Sequence, residues 1–275
     1  MEDSHALEQA ADLIRNAKRV LFLTSAGMSA DSNIPTFRDK EGYWKNFPPF
    51  KEKNLEAQDL ASPWAFKNVL PHAWAFYEWR RRNAHENTPH EGYHIINRWI
   101  EQRFEDGFVH TTNTDGYHIK SGLDENRIIE IHGSMWRLQC LETCSREFWD
   151  MDSAPLCELD YDTMEADDFP LCVNCNAIAR PHILMFGDWD YVGHPKQEEQ
   201  YSRFIQKPID LAILVGSSGA VPTNDYIAQR LKAGGTALIN INLDPGSNNI
   251  ACAEHFIAMK GKDAFIQLDR LAFHQ

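Results

Sequence analysis

Apolar positions along the chain follow two alternating patterns. Near the start they recur at helical spacing, with Leu7, Ala11 and Ile14 on one face, Ala10, Leu13 and Ala17 beside them, and Ser4 at the N-cap position. The period then changes. "RVLFLT", Arg19 to Thr24, is a continuous apolar run of the kind found in strands buried on both faces, and a loop of small and hydroxyl residues follows it. The same succession returns at "GFVHTTNTDG", "RIIEIHGS", "HILMFGD", "LAILVGSSGAVP" and "TALININLDPG". Helical patterns lie between several of these; "PTNDYIAQRLKAGG" opens with Pro222 and closes at Gly234 and Gly235. Strands alternating with helices predict an α/β fold, a doubly wound, Rossmann-like parallel sheet. Ligands of such sheets bind at the carboxyl ends of the strands, where Ser25, Asn113, His132 and Gly216 fall.

Two stretches break the alternation. Residues 40–93 are rich in Trp, Phe and Pro and predict a helical lobe, whereas 139–180 is acidic, strand-poor and holds five of the six cysteines. The remaining segments, 1–39, 94–138 and 181–275, make up the Rossmann-like part of a single domain. An apolar content of 43% over 275 residues suffices for one main core. The formal charge of −13 repels a phosphate backbone, so the expectation is no nucleic-acid partner and instead a small molecule or a basic peptide. The N-terminus has no apolar run of signal-peptide length, and nothing later approaches the roughly 20 apolar residues that span a bilayer. The chain therefore reads as soluble and cytoplasmic, without a membrane partner.

Cysteines in a cytosolic chain point to metal or core packing before disulfides. Cys140 and Cys144 are spaced C-x3-C, and Cys172 and Cys175 C-x2-C, which are knuckle spacings for tetrahedral zinc. A closed four-thiolate site is structural, because no position is left for water or substrate. Cys157 is an alternative ligand, and Cys252, in the apolar "NNIACAEHF", reads as packing.

"SAGMSADSNIPTFRDKEGYW" resembles the sirtuin signature G-A-G-x-S-x-x-S-G-I-P-x-F-R with its following G-x-W, and "TTNTDGYH" resembles T-Q-N-I-D-x-L-H. "EIHGSMWRLQC", "RPHILMFGD", "VGSSGAVP" and "NLDP" resemble four further segments, in family order from Leu21 to Ala264. The resemblance implies an NAD-dependent protein-lysine deacylase with NAD as co-substrate and an acylated lysine of a protein or peptide as partner. It places Ser25, Ala26, Gly27 and Ser29 at the NAD loop, with Ala26, Gly27 and Ser29 near the phosphates. Phe37 and Arg38 fall over the nicotinamide ribose, with Phe37 shielding the reacting carbon from water. A small-residue loop before a helix N-terminus suits a pyrophosphate, since backbone N–H groups approach it closely. By the same resemblance Thr112, Asn113 and Asp115 lie at the ribose and nicotinamide end, and His132 is the general base, a role for which imidazole's pKa of about 6.5 is suited. Gly216, Ser217 and Ser218, then Asn242, Leu243 and Asp244, and Ala264 beside the adenine, follow as binding residues. The implied products are nicotinamide, deacylated lysine and O-acyl-ADP-ribose.

The chain departs from the pattern at three places. Ser25 stands at the first loop glycine, where a required positive φ would strain it; Asn33 stands at a later glycine, and asparagine tolerates the left-handed region. Thr112 replaces a glutamine with a shorter hydroxyl arm. "LASPWAFKNVLPHAWAFYEWRR" resembles the stretch of the sirtuin class that removes acidic acyl groups, where a Tyr-x-x-Arg pair grips a carboxylate; Tyr77 and Arg80 fit that pair. Succinyl or malonyl removal and plain deacetylation both stay open, because residues three apart also share a face of any amphipathic helix. Two further functions compete: an ADP-ribosyltransferase or NAD glycohydrolase using the same pocket, and a non-catalytic NAD or ADP-ribose sensor.

Overall fold

Six strands form one all-parallel sheet in the computed structural model, which describes residues 2–36, 40–244 and 255–274. They are β1 (Arg19–Thr24), β2 (Asp106–Thr111), β3 (Ile128–Glu130), β9 (Leu211–Val215), β10 (Ala237–Ile241) and β11 (His255–Ile257). The order is β11-β10-β9-β1-β2-β3, which is the doubly wound arrangement with its switch point between β1 and β9. Continuous apolar runs are needed here because each strand faces two cores. In β1, Val20 and Phe22 enter one buried cluster while Leu21 and Leu23 enter a second on the opposite face. Thr24 is level with Thr111 of β2 and Val215 of β9, so the loops leaving these three strands start side by side.

The first helix, Glu2–Asn16, begins before Ser4, so Ser4 lies inside it rather than at its cap. Leu7, Ala10, Ala11 and Ile14 are buried as the helical spacing requires. The helix Thr223–Ala233 follows Pro222 and ends at Gly234, with Gly235 at φ 92°. Among the described residues no helix is long and apolar enough to cross a membrane.

One expected strand leaves the parallel sheet. The run "HILMFGD" supplies only His182 and Ile183 to a strand, β8 (Ala179–Ile183), which pairs antiparallel with β4 (Gly133–Cys140) in a three-stranded sheet completed by β5 (Phe148–Asp150). Its place in the large sheet goes to β11, three residues long and too short to carry a period. The small sheet runs from Gly133 to Ile183, so it extends past both ends of the 139–180 segment, and β6 (Glu158–Asp160) with β7 (Glu165–Asp167) forms a hairpin inside it.

Five helices lie between residues 40 and 90: Lys40–Asn46, Pro48–Glu52, Ala57–Leu60, Pro63–Asn68 and Leu70–Glu86. Their core is aromatic, with the Phe47 ring 4.6 Å from that of Trp79 and 5.2 Å from that of Tyr43. The long helix is clamped to the cysteine-bearing module by two arginines. Arg81 donates to the carbonyls of Met135, Asp152 and Ala154, and Arg82 donates to that of Cys157, while the fully buried Glu78 accepts from Arg82.

At the switch point two backbones touch. Gly27 N–H donates to Gly216 O at 3.0 Å, and a Cβ on Gly27 would lie 2.7 Å from Gly216 Cα. Gly216 also sits at φ 66°, where any other residue is strained. Gly27→Ala and Gly216→Ala should each lower urea-unfolding stability by about 1–3 kcal/mol, the usual cost of overpacking, with Gly216→Ala the worse of the two. Wild-type stability in both variants would show that the two loops part without cost.

Candidate active site

The carboxyl edge of the sheet carries, in spatial order, His132 after β3, Thr112 to Asp115 after β2, Ser25 to Ser29 after β1, Gly216 to Ser218 after β9 and Asn242 to Asp244 after β10. A cavity of about 490 Å³ opens at the β2–β3 end; its walls include Ala26, Ser29, Thr112, Asn113, Asp115 and His132. Tyr77 and Arg80, from the helical lobe, reach the same cavity.

Ser25 is extended, at φ −131° and ψ −177°, so the position needs no glycine and the feared strain is absent. Asn33 is left-handed, at φ 58° and ψ 25°, as its substitution for glycine requires. The helix after the loop is short. It makes one turn, Ala26–Ser29, continued by the 3-10 turn Ala30–Ser32, so close backbone approach, more than a helix dipole, characterises this loop.

Ser29 faces inward. Its hydroxyl donates to Asp115 at 2.6 Å and lies 2.9 Å from both the Asn113 amide nitrogen and the Tyr93 hydroxyl. Asn113 donates its second amide proton to Ser25 O, and Trp136 Nε1 donates to Asp115 O at 2.7 Å. Burial holds the Asp115 carboxyl above its ordinary pKa, against the opposing hydrogen bonds from Ser29 and Tyr117 N–H and the nearby Arg80 charge. Asn113, Asp115 and Ser29 thus form one preorganised cluster at the floor of the cavity.

His132 Nδ1 lies 3.2 Å from Thr112 O. A carbonyl only accepts, so Nδ1 carries the proton and Nε2 is left as the basic nitrogen. Burial pushes the imidazole below its ordinary pKa of 6.5, with the Thr112 bond pulling the other way. The ring is therefore neutral at pH 7, the form a general base needs.

Tyr77 is buried, and its hydroxyl has no hydrogen-bond partner among the described residues. Burial raises its pKa to about 12, so it is a neutral donor. Arg80 is stacked beside it, the guanidinium carbon 5.4 Å from the Tyr77 ring centre and 5.3 Å from that of Phe76, with Nη2 donating to Thr114 Oγ1 at 3.3 Å. The opposite wall is set by a buried ion pair, Arg180 to Asp188 at 2.7 Å, which fixes the turn carrying Met185, Phe186 and Gly187. Sequence reading passed over this pair, and also Trp189, 95% exposed at the rim. The aromatic-acidic run "FGDWDY" was the available signal, an apolar side chain too isolated among polar neighbours to be core.

The other anticipated binding residues are spread along the edge. Ser217 donates to Asp225 at 2.6 Å, its carbonyl accepts from the Asn242 side chain, and Ser218 is half-buried beside it. Leu243 and Asp244 are exposed, whereas Ala264 is wholly inside the core, in the helix Gly261–Phe273. Phe37, Arg38 and Cys252 lie outside the described residues.

Cys140, Cys144, Cys172 and Cys175 bring their sulfurs within 4.8 Å of one another. Two pairs, Cys140–Cys175 and Cys144–Cys172, are 3.6 Å apart. Tetrahedral zinc with bonds of about 2.3 Å separates its sulfurs by about 3.8 Å, so the cluster fits a structural zinc. Cys157 is buried outside this set and replaces none of the four.

Comparison with known proteins agrees with this geometry. A sequence model described as Sir2 family matches residues 25–223. A protein of Leptospira interrogans named NAD-dependent protein deacylase is 32% identical over 84% of this chain and 83% of its own length. One of the same name from Pyrococcus furiosus is 30% identical over 88% of each. Among solved structures, a Sir2 homologue in complex with NAD superposes with a TM-score of 0.77 at 25% identity, covering 96% of this chain and 93% of that one. A Sir2 homologue mutant bound to ADP-ribose gives the same score over 96% and 95%.

Metal analysis should find about one zinc per chain, as four thiolate ligands dictate. Cys172→Ala should lose the metal with much of the stability, and Cys157→Ala should keep it. A folded wild-type preparation without zinc would refute the assignment.

Proposed function

The chain belongs to the Sir2 family, and from that premise we propose that it is an NAD-dependent protein-lysine deacylase in which His132 is the general base and Tyr77 and Arg80 receive the acyl group. The observation that carries the reading is one cavity lined at once by a neutral, basic His132, the Asn113–Asp115–Ser29 cluster and the Tyr77–Arg80 corner. Relatives named NAD-dependent protein deacylase and neighbours bound to NAD and ADP-ribose support the co-substrate. Five strands of the carboxyl edge, at about 4.8 Å each, give a track of about 19 Å that suits an extended dinucleotide. The reacting end then lies over β2 and β3, with the pyrophosphate near Gly27 and Gly216 and the adenosine toward Asn242, Leu243 and Asp244. The segments 1–39, 94–138 and 181–275 would carry NAD, with the 40–93 lobe and the 139–180 zinc module closing the cleft. A four-thiolate site needs reduced cysteines, which supports a cytoplasmic setting.

Bound NAD supplies a ribose carbon from which nicotinamide leaves and to which the amide oxygen of an acylated lysine adds. The residues of the chain do the rest. Asn113 and Asp115 orient the nicotinamide end, and the apolar walls exclude water from the reacting carbon. His132 Nε2 takes a proton from a ribose hydroxyl, which frees that oxygen to attack the acyl carbon; the carbon–nitrogen bond breaks, lysine leaves as its amine, and one water completes the O-acyl-ADP-ribose.

The acyl group is acidic in this reading, succinyl or malonyl. A carboxylate at the Tyr77–Arg80 corner takes the Tyr77 hydroxyl, unpartnered among the described residues, and a charged bond from Arg80, in a setting where burial strengthens both. Arg80→Met should reduce desuccinylation about 10- to 100-fold, the worth of a charged hydrogen bond, and leave deacetylation nearly unchanged. Equal losses on succinyl- and acetyl-peptides would assign Arg80 to folding alone.

His132→Ala should lower deacylated product about 10²- to 10⁴-fold while NAD still binds in calorimetry. In the wild type the acid limb of kcat/KM should fall below about pH 6.5, because burial depresses the imidazole pKa and the neutral form is active. NAD cleavage without acyl transfer in the wild type would identify a glycohydrolase instead.

A further inference from the structure

Two of the three residues that depart from the sirtuin pattern, Ser25 and Thr112, touch each other. Their hydroxyl oxygens are 3.1 Å apart, and Thr112 Oγ1 is also 3.4 Å from Thr24 O. Beneath them a buried polar chain continues. Asn224, fully buried, donates its amide to Ser25 Oγ at 3.1 Å and to Thr24 O at 2.8 Å, and its carbonyl oxygen lies 2.7 Å from His110 Nδ1. Since that oxygen only accepts, His110 holds its proton on Nδ1. Burial lowers the His110 pKa to about 4, so the ring stays neutral and the direction of the chain is fixed at working pH. Above, Thr112 N–H donates to Thr24 O at 3.0 Å, and Thr112 O accepts from His132 Nδ1. A glycine at position 25 supplies no hydroxyl, so this connection is a property of the present side chains.

We propose that Ser25 and Thr112 act as one hydroxyl-bonded unit that positions His132. They fix the Thr112 main chain beside the end of β1, and the Thr112 carbonyl fixes the ring orientation and tautomer of the base. Both are positioning residues for His132, acting through the Thr112 main chain. The functional importance of the unit rests on the deacylase reading, whereas its effect on the His132 ring does not.

The test uses full-length Ser25→Ala, Thr112→Val, the double variant, and Thr112→Ser, which keeps the hydroxyl. Nitrogen-15 NMR of the free protein reads the His132 tautomer, and steady-state kinetics reads kcat and the KM for NAD. The wild type and Thr112→Ser should hold the Nδ1–H form. Each single variant should mix tautomers and lose about three- to tenfold in kcat, the worth of a hydrogen bond. The double variant should lose no more than the worse single one, since residues acting as a unit are not additive. An unchanged tautomer in the single variants, multiplicative losses in the double variant, or a change confined to KM would each overturn the proposal. Wild-type protein without acyl-lysine turnover would defeat the deacylase reading, and the tautomer measurement would still decide the unit.

Discussion

Gly27 and Gly216 meet backbone to backbone where the sheet reverses its winding, and the site is built outward from that contact. Because neither residue has a Cβ, the loops after β1 and β9 close to a direct N–H···O bond, and the crest of the sheet becomes a continuous surface of main chain. The level register of β1, β2 and β9 then places Ser25, Thr112 and Gly216 side by side. With the loop held there, Ser29 is turned under the cavity, where it joins Asp115, Asn113 and Tyr93. A side chain at either glycine would separate the loops and displace this cluster with them.

Charge is buried at several points around the cavity, and its purpose is placement. Arg180 with Asp188, Arg137 with Glu130, and Arg81 and Arg82 with Glu78 all place a nearly or fully buried carboxylate beside a guanidinium. Such pairs gain little net stability over apolar packing, because desolvation cancels much of the attraction. Their geometry is what remains. The Arg180 pair sets the turn at Phe186, and the Arg81 and Arg82 clamps hold the helix on which Tyr77 and Arg80 stand. Zinc belongs to the same scheme, since it fixes Cys140 at the end of β4 and so steadies the module whose carbonyls those arginines grip.

The apolar runs at Arg19–Thr24 and Leu211–Val215, the paired cysteines and the small-residue loops determined by themselves the parallel sheet, the metal site and the edge at which the cavity opens. These are local properties. A strand buried on both faces must be apolar throughout, and a knuckle must space its thiolates closely. The role of β8 was not legible, because an apolar run does not state its partner, and β11 was too short to carry a period. Ser25 looked like a defect in a glycine loop until the structure showed its extended φ and its bond to Thr112, 87 residues away. The protonated nitrogen of His132, the burial that keeps its ring neutral, the Tyr77 hydroxyl left without a partner among the described residues and the clamps behind Arg80 were likewise decided only by the tertiary structure. Each depends on groups far apart in the chain, brought together after the backbone has crossed the sheet.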